Sequence, residues 1–272
     1  MNRFHFISGL PRSGSTLLSA ILSQNPRFYA GMSSPVAHLY KSVLNVVSAN
    51  SEFAGQVSRE QRKTILRAQF SSYYSELNDK EIIFDTNRSW TGHLKGLLEL
   101  YPNSKIICCV RDVGWIMDSM ECQFRKNPFE NTRLYNDEER ASVYTRVESL
   151  GRSHRMVGAA WSMLKEAYYS EEAGSMLLVD YDLLSAFPQK VMPLIYDFIG
   201  EAFFEHDFDD VKFDAPLFDS NIGVEGLHCV SGPVCKKDRL TILPPDLFNK
   251  YSEMTFWKEQ KGTRAHVIAA KS

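Results

Sequence analysis

Residues 9–16 combine two glycines, one arginine and three hydroxyl side chains at a spacing suited to anion binding. The stretch reads GLPRSGST and directly follows an apolar run at 4–8. It matches the phosphate-binding motif G-x-x-x-x-G-K-S/T at both glycines and at Thr16. Ser15 occupies the position where that motif carries lysine. The pattern therefore predicts a strand, an anion-binding loop and a helix, in that order.

The chemistry available to this loop comes from its backbone and from Arg12. Backbone N–H groups of residues 12–17 would converge on an anion at a helix N-terminus, which carries about half a positive charge. Arg12 offers a planar fork for an oxyanion. The missing lysine, which pairs with the β- and γ-phosphates of a nucleoside triphosphate, argues against a triphosphate with Mg²⁺. The alternative is an ordinary helix capped by Ser13.

A second anion-binding pattern lies at residues 107–120, which read ICCVRDVGWIMDSM. Arg111 stands at the end of an apolar run, and Ser119 follows it by eight residues, about two helical turns. A guanidinium arm can fold along such a helix and share one anion with the hydroxyl. The alternative is a local Arg111–Asp112 pair beside a solvated serine.

These residues can form one site only in a fold that brings the ends of several strands together. The hydrophobic pattern predicts such a fold. Short apolar runs alternate with helical periodicities, which is typical of a doubly wound, mostly parallel α/β sheet flanked by helices. Ligands of such folds bind at the carboxyl ends of the strands. The tail after residue 201 is expected to be irregular. The predicted strands are 3–8, 81–85, 105–110 and 175–181, and the predicted helices are 17–22, 59–77, 90–100, 113–126, 139–169 with a break at Gly151, and 188–200.

Length and composition fit one domain spanning residues 1–272, with 44% hydrophobic residues and a net charge of −2. Without a global basic field, neither nucleic acid nor an anionic membrane is an expected partner. No window reaches the roughly 18 apolar residues of a membrane span, and no signal stretch is evident, so we expect a cytoplasmic protein. His228, Cys229 and Cys235 lack a zinc spacing, and no metal is expected.

The two anion patterns together resemble a known family. PRSGSTLL at 11–18 and VRD followed by Ser119 are similar to the 5′-phosphosulfate loop and 3′-phosphate site of sulfotransferases that use 3′-phosphoadenosine 5′-phosphosulfate (PAPS). LLVDYDLL and PLIYDFIGEAF resemble the strand and helix that follow in that family. IGVEGLHCVSGPV at 222–234 is similar to a late segment of the tyrosylprotein-sulfotransferase-like branch. The resemblance implies a fold like that of the P-loop nucleotide hydrolases.

The resemblance also implies a role for individual residues. Arg111 and Ser119 would hold the 3′-phosphate, Tyr181 would lie near the nucleotide, and residues 227–236 would form a covering loop. PAPS lacks a β,γ-phosphate pair and needs no metal, which accounts for the missing lysine. The residues implied to hold the 5′-phosphosulfate are Arg12, Ser13, Gly14, Ser15, Thr16 and Leu17.

Sulfuryl transfer should proceed by in-line displacement and depend mostly on positioning and cations. Arg12 is the first expected catalytic cation, and Arg88 is the second because the tyrosylprotein-like branch carries a lysine there. That branch takes its general base from a glutamate in the segment corresponding to 30–38, where this chain has no carboxylate. The candidate replacements are Asp85 at a strand end, His38 and His93.

The sequence thus predicts transfer of a sulfuryl group from PAPS to a hydroxyl acceptor, either a small molecule or a peptide tyrosine. Two alternatives stay open. One is a P-loop kinase or nucleoside triphosphatase with a degenerate loop, which would need Mg²⁺ and a lysine from elsewhere. The other is a non-catalytic protein that binds 3′-phosphoadenosine 5′-phosphate (PAP), the product nucleotide.

Overall fold

A six-stranded, entirely parallel sheet forms the centre of the computed structural model, which describes residues 3–48, 51–126, 134–216, 219–220 and 228–270. The strand order is β2-β3-β1-β4-β5-β8, and β6 pairs with β7 in a separate antiparallel ribbon. The α/β prediction is therefore confirmed. The strands are β1 (Arg3–Gly9), β2 (Phe28–Ser33), β3 (Ile82–Thr86), β4 (Ile106–Val110), β5 (Met176–Asp180), β6 (Val211–Phe213), β7 (Val230–Gly232) and β8 (His266–Ile268).

Helices cover both faces of the sheet, as the near-continuous apolar strands require. Short 3₁₀ turns occur at Glu52–Gln56, Arg88–His93, Glu171–Ser175 and Phe256–Lys258. The α-helices of the described residues include α1 (Ser15–Leu22), α2 (Val36–Val47), α3 (Arg59–Tyr73), α4 (Leu94–Leu100), α5 (Val113–Lys126), α6 (Asp137–Arg140), α7 (Val143–Gly151), α8 (Met156–Tyr168), α9 (Tyr181–Ala186), α10 (Pro188–Ile199) and α11 (Pro245–Ser252).

Alternation along the strands divides the buried side chains into two cores. Phe6 of β1 packs in one core, where its ring lies 5.3 Å from that of Trp90. Its neighbour Ile7 packs on the opposite face of the sheet with Leu18 and Ile21 of α1. Since successive side chains of a strand point to opposite faces, this is the arrangement that a sheet covered on both sides produces.

Four predicted strands correspond to β1, β3, β4 and β5, but two strands of the sheet were missed. β2 contains one glycine, one methionine and one serine in place of a clear apolar run, and β8 has only three residues. The tail after residue 201 is mostly irregular where the structure describes it, as predicted, but it also contributes β8 to the edge of the sheet beside β5. Strand pairing, rather than local composition, orders that part of the tail.

The ends of the helices follow local sequence signals more closely than the strands do. α10 ends at Gly200, whose φ of 74° is the left-handed conformation typical of a C-terminal cap. The long helical pattern at 139–169 is divided after Gly151, as predicted, into α7 and α8. α2 was not predicted. Among the described residues, no helix is both long and apolar enough to cross a bilayer.

Candidate active site

A cavity of about 460 Å³ opens at the carboxyl ends of the strands, where β1, β2, β3, β4 and β5 finish close together. This is the position that a doubly wound sheet favours for a ligand. Most of the residues singled out in the sequence lie in its wall. Those that line the cavity are Arg12, Gly14, Ser15, Thr16, Leu17, Arg88, Arg111, Ser119 and Tyr181.

The loop before α1 has a backbone that only particular residues tolerate. Arg12 has a φ of 57°, Gly14 has a φ of 95° and Gly9 has a φ of 108°. A Cβ atom added to Gly9 would lie 2.1 Å from the carbonyl oxygen of Cys109, so the loop packs directly against β4. The two glycines of the motif are therefore required by geometry.

The N-terminus of α1 lacks a side-chain cap, and its first residues line the cavity. Gly14 is the N-cap residue and has no side chain with which to cap the helix. Ser13 is buried, and its hydroxyl donates to the carbonyl oxygens of Leu10 at 2.5 Å and Cys109 at 2.8 Å. The alternative of a helix capped by Ser13 is therefore wrong. The Ser13 side chain fixes the loop, and Ser13 is not among the residues that line the cavity.

Replacing Gly14 with alanine is expected to damage the loop. A Cβ atom there would lie 2.5 Å from Cδ2 of Tyr181, and the left-handed φ adds about 1–2 kcal/mol of strain. We expect the free energy of unfolding to fall by at least that amount. We also expect the affinity for PAP to fall at least tenfold. Gly174→Ala is the matched control, since no atom lies within 4 Å of its added Cβ and its φ is ordinary. Unchanged PAP affinity in Gly14→Ala would contradict the interpretation of this loop as an anion-binding loop.

The two arginines predicted from separate motifs share the cavity. Nε of Arg12 donates to Oγ of Ser119 at 3.2 Å, which joins the loop after β1 to α5. The guanidinium of Arg111 stacks over the ring of Tyr181, 4.5 Å from its centre. Burial and the nearby positive charge of Arg111 lower the pKa of Arg12. The site thus concentrates positive charge that an anion would neutralise.

The side chain of Arg111 has a buried hydrogen-bond donor without an acceptor in the described part of the chain. This donor is the Nε–H group. A buried donor without a partner costs about 1–3 kcal/mol, so such groups commonly mark a ligand site. Arg111 and the uncapped start of α1 both line one cavity, which is where a phosphate or sulfate of a ligand would bind.

Arg88 adds a third cation from the opposite side of the loop. It follows β3 in the 3₁₀ turn, and its side chain reaches the cavity. Arg88 is exposed to solvent as a whole residue, and partial desolvation by the surrounding protein lowers the pKa of Arg88. Its position beside Thr86 and Asn87 places it over the β2–β3 half of the cavity, whereas Arg111 and Tyr181 belong to the β4–β5 half.

The structure does not bring the predicted general bases to this cavity. Asp85 is fully buried, and its carboxylate accepts hydrogen bonds from Ser34 Oγ at 2.6 Å, Tyr74 OH at 2.7 Å and Trp90 Nε1 at 2.7 Å. Burial raises the pKa of Asp85, while these three donors oppose that shift. Because side chains alternate, Thr86 rather than Asp85 lines the cavity.

The two histidines considered as bases lie elsewhere. His38 is exposed on α2. His93 packs its ring against Tyr40, with ring centres 5.3 Å apart, and burial lowers the pKa of His93. Neither of them lines the cavity.

Asp85 instead anchors the core, and its loss is expected to act on stability. In Asp85→Ala the hydroxyl and indole donors of Tyr74 and Trp90 would be buried without an acceptor, which we expect to lower the free energy of unfolding by about 3 kcal/mol. Urea denaturation measures this. Asp79→Ala is the control, since Asp79 is exposed and pairs only with the adjacent Lys80. Normal stability with abolished turnover would restore Asp85 as the catalytic base.

A histidine–carboxylate pair that the sequence did not reveal lies at the cavity. Nδ1 of His228 is 2.5 Å from Oδ1 of Asp219, and the backbone N–H of His228 donates to Oδ2 at 2.9 Å. Asp219 is buried, while the imidazole of His228 lines the cavity. Burial lowers the pKa of His228, the hydrogen bond to Asp219 opposes this, and Arg12 and Arg88 lower it further by repulsion. The nine-residue spacing of the pair has no diagnostic pattern in the sequence.

The expected covering segment is partly visible. His228 and Val230, at the start of the described portion of 227–236, both line the cavity. Residue 227 and the earlier part of the similar segment at 222–234 lie outside the described residues. Within the described residues, no group of three or more histidine, cysteine, aspartate or glutamate side chains could hold a metal ion.

A parallel sheet with a glycine-rich loop between its first strand and first helix defines an α/β protein of the phosphate-binding-loop type. The sequence profile of the sulfotransferase family matches residues 5–205, and the chain belongs to that family. No curated protein matches the chain significantly. The tyrosylprotein-like branch stays a prediction.

Solved sulfotransferase structures share this fold at low sequence identity. The sulfotransferase domain from the curacin biosynthetic pathway has a TM-score of 0.60 at 14% identity, covering 95% of this chain and 98% of that one. The sulfotransferase domain from the Synechococcus PCC 7002 olefin synthase has a TM-score of 0.53 at 19% identity, covering 94% of each chain. A sulfotransferase from Alicyclobacillus acidocaldarius has a TM-score of 0.51 at 16% identity, covering 81% and 89%.

Proposed function

We propose that this sulfotransferase transfers the sulfuryl group of PAPS to a hydroxyl acceptor in the cavity at the strand ends. The observation that carries the proposal is the shared cavity of two arginines from separate motifs. Arg12 lies in the loop after β1, Arg111 lies after β4, and Ser119 of α5 hydrogen-bonds the first of them. PAPS carries anionic groups at both its 5′ and 3′ ends, so it needs two such sites in one cleft.

The residues present fit that donor. The 5′-phosphosulfate would lie against the uncapped start of α1, between Gly14 and Leu17, where N–H donors and Arg12 meet it. The 3′-phosphate would lie between Arg111 and Ser119 and satisfy the buried Nε of that arginine. Tyr181 would support the nucleotide from the side of Arg111.

Transfer requires an oxygen nucleophile, a leaving group and a destination for one proton. The acceptor oxygen forms a bond to sulfur while the bond between sulfur and the 5′-phosphate oxygen breaks, and PAP leaves with that electron pair. Arg12 and Arg88 stabilise charge on the sulfuryl oxygens and on the departing phosphate. The products are a sulfate ester, PAP and a proton.

We propose that His228 is the general base that accepts the proton of the acceptor hydroxyl. In the neutral imidazole, Nδ1–H donates to Asp219 and Nε2 carries the lone pair, which is the tautomer that a general base needs. The buried Asp219 then stabilises the imidazolium that forms. This His–Asp pair replaces the glutamate that the sequence lacks at 30–38.

The primary test measures PAP binding by calorimetry and transfer of ³⁵S from labelled PAPS to a panel of alcohols, phenols and sugars. We expect PAP binding without Mg²⁺ and labelled sulfate ester with at least one acceptor. Mg²⁺-dependent ATP binding that is tighter than PAP binding would favour a kinase or nucleoside triphosphatase. PAP binding with no transfer to any acceptor would favour a non-catalytic binding protein.

Arg111→Ala is expected to weaken PAP binding by about 10- to 100-fold, the loss typical of a hydrogen bond to a charged group. Titration calorimetry measures the change. Arg59→Ala is the matched control, because Arg59 is exposed and pairs with Glu99 on the surface. Equal PAP affinity in both variants would show that Arg111 does not bind the nucleotide.

A further inference from the structure

Among the apolar side chains that line the cavity with the arginines, four come from separate parts of the fold away from β1, the loop after it, α1 and the segment after His228. Met32 comes from β2, Met120 from α5, Leu134 from the chain before α6, and Met156 from the start of α8. Three of the four are methionines, whose unbranched and polarisable side chains adapt to apolar ligands of variable shape. Part of the cavity wall is therefore apolar and deformable.

Two polar side chains of the cavity beside Arg88, those of Ser8 and Asn87, are engaged within the protein. Oγ of Ser8 donates to the carbonyl oxygen of Arg88 at 3.1 Å. The side-chain oxygen of Asn87 accepts from the N–H and the hydroxyl of Ser89 at 3.0 and 2.8 Å, and its amide donates to the carbonyl of Ser34 at 3.4 Å. A sugar needs several converging polar groups, and Ser8 and Asn87 are already committed, whereas the hydroxyl of Thr86 is buried without a hydrogen-bond partner in the described part of the chain.

The rings of the described cavity lining are also engaged. Tyr181 has the guanidinium of Arg111 over its face, and the imidazole of His228 is held by Asp219. The rest of the described lining has no aromatic side chain on which a phenol or a sugar ring could stack. This absence favours an acceptor without a ring.

The positive charge of the cavity also limits which acceptors can bind there. Arg12, Arg88 and Arg111 line it, and no aspartate or glutamate is among the described lining residues. Asp219, which lies beside the cavity, is buried and bonded to His228. A cationic acceptor would therefore meet only like charge at close range.

We infer that the acceptor is an alcohol carried on a flexible, uncharged aliphatic chain. The inference rests on the proposed function and narrows its acceptor class. The chain of the acceptor contacts Met32, Met120, Leu134 and Met156, and its hydroxyl group meets the sulfuryl group near Arg12 and Arg88. Its oxygen gains the sulfuryl group from PAPS, its proton passes to His228, and PAP departs.

A homologous series tests the inference. With ³⁵S-labelled PAPS and the linear alcohols from 1-butanol to 1-octanol, kcat/KM should rise about three- to fourfold for each added methylene until the apolar wall is covered, as burial of each CH₂ requires. Replacing the terminal methyl of the best alcohol with an ammonium group should abolish this gain. Phenol, 2-naphthol and a methyl glucoside are the competing acceptor classes.

Met156→Gln supplies an independent test. A buried amide in the apolar wall should lower kcat/KM for 1-octanol about tenfold and leave PAP affinity unchanged. Leu240→Gln is the control, because Leu240 is 92% exposed and does not line the cavity. Unchanged PAP affinity with normal denaturation shows that the variant folds.

The outcomes separate this inference from the proposed function. A kcat/KM that does not depend on chain length, or that is higher for 2-naphthol or the glucoside than for every linear alcohol, overturns the aliphatic acceptor and leaves the sulfotransferase intact. If nothing is turned over, calorimetry with the PAP-loaded protein decides, since affinity for the alcohols must still rise with chain length. Absence of PAP binding overturns the proposed function itself, and the same alcohol titration then applies to the free protein.

Discussion

Arg12→Ala is expected to lower kcat for sulfuryl transfer by roughly 10³-fold, the effect of removing an arginine that stabilises charge in the transition state of a group transfer. Arg12 lies in the loop after β1 with a left-handed φ of 57°, and it lines the cavity together with Arg111. The guanidinium is already desolvated there, so it needs little reorganisation when charge develops.

Single-turnover kinetics with labelled PAPS separate this effect from donor binding. We expect PAP affinity to fall far less than kcat, because the N–H groups of α1 and the Arg111 side chain still hold the nucleotide. Ser119→Ala is the matched comparison. It removes the 3.2 Å hydrogen bond to Arg12 without removing the positive charge, so it should affect PAP affinity more than kcat. A kcat within a few-fold of wild type in Arg12→Ala would exclude this residue from catalysis.

His228→Asn is the second variant with a large expected effect. General-base catalysis contributes about 10²- to 10⁴-fold, so kcat should fall in that range while PAP affinity stays near wild type. Asp219→Asn should also lower kcat, since an amide no longer favours the tautomer with the Nε2 lone pair. His38→Asn is the control because His38 is exposed on α2. Loss of transfer in His38→Asn with normal activity in His228→Asn would reverse the assignment.

The pH profile gives an independent readout of the same residue. Only the neutral imidazole can accept the proton, so kcat/KM should fall as pH falls through the pKa of His228. Burial and the neighbouring arginines lower that pKa from its ordinary value of 6.5. We therefore expect the acidic limb of the profile below pH 6.5, and we expect it to disappear in His228→Asn. A limb that persists in the variant belongs to another group.

Several elements of the site were accessible from the sequence because their signals are local. An apolar run followed by glycines at fixed spacing specifies a strand, a tight loop and a helix, and it placed Gly14 and Arg12 correctly at the cavity. Arg111 and Ser119 were accessible for the same reason, since a strand end and a helical repeat fix their separation. Contacts within about ten residues of chain leave few alternatives.

The rest was decided by packing between distant parts of the chain. A one-residue difference in side-chain direction turns Asp85 into the core and Thr86 into the cavity, and sequence pattern alone does not fix that direction for a strand buried on both faces. Ser13 turns its hydroxyl toward Cys109 of β4, 96 residues away in the chain.

Taken by itself, the sequence determined a parallel α/β fold with two arginines at strand ends, and the resemblance of its motifs to sulfotransferases indicated the family. The fold and the arginines were accessible because apolar periodicity and glycine geometry act over short distances. Tertiary structure decided that these arginines share one cavity, that β8 completes the sheet, and that His228 pairs with Asp219 at the cavity rather than Asp85 serving there. Those outcomes depend on which buried polar groups find partners once the sheet has formed, and no local pattern encodes that choice.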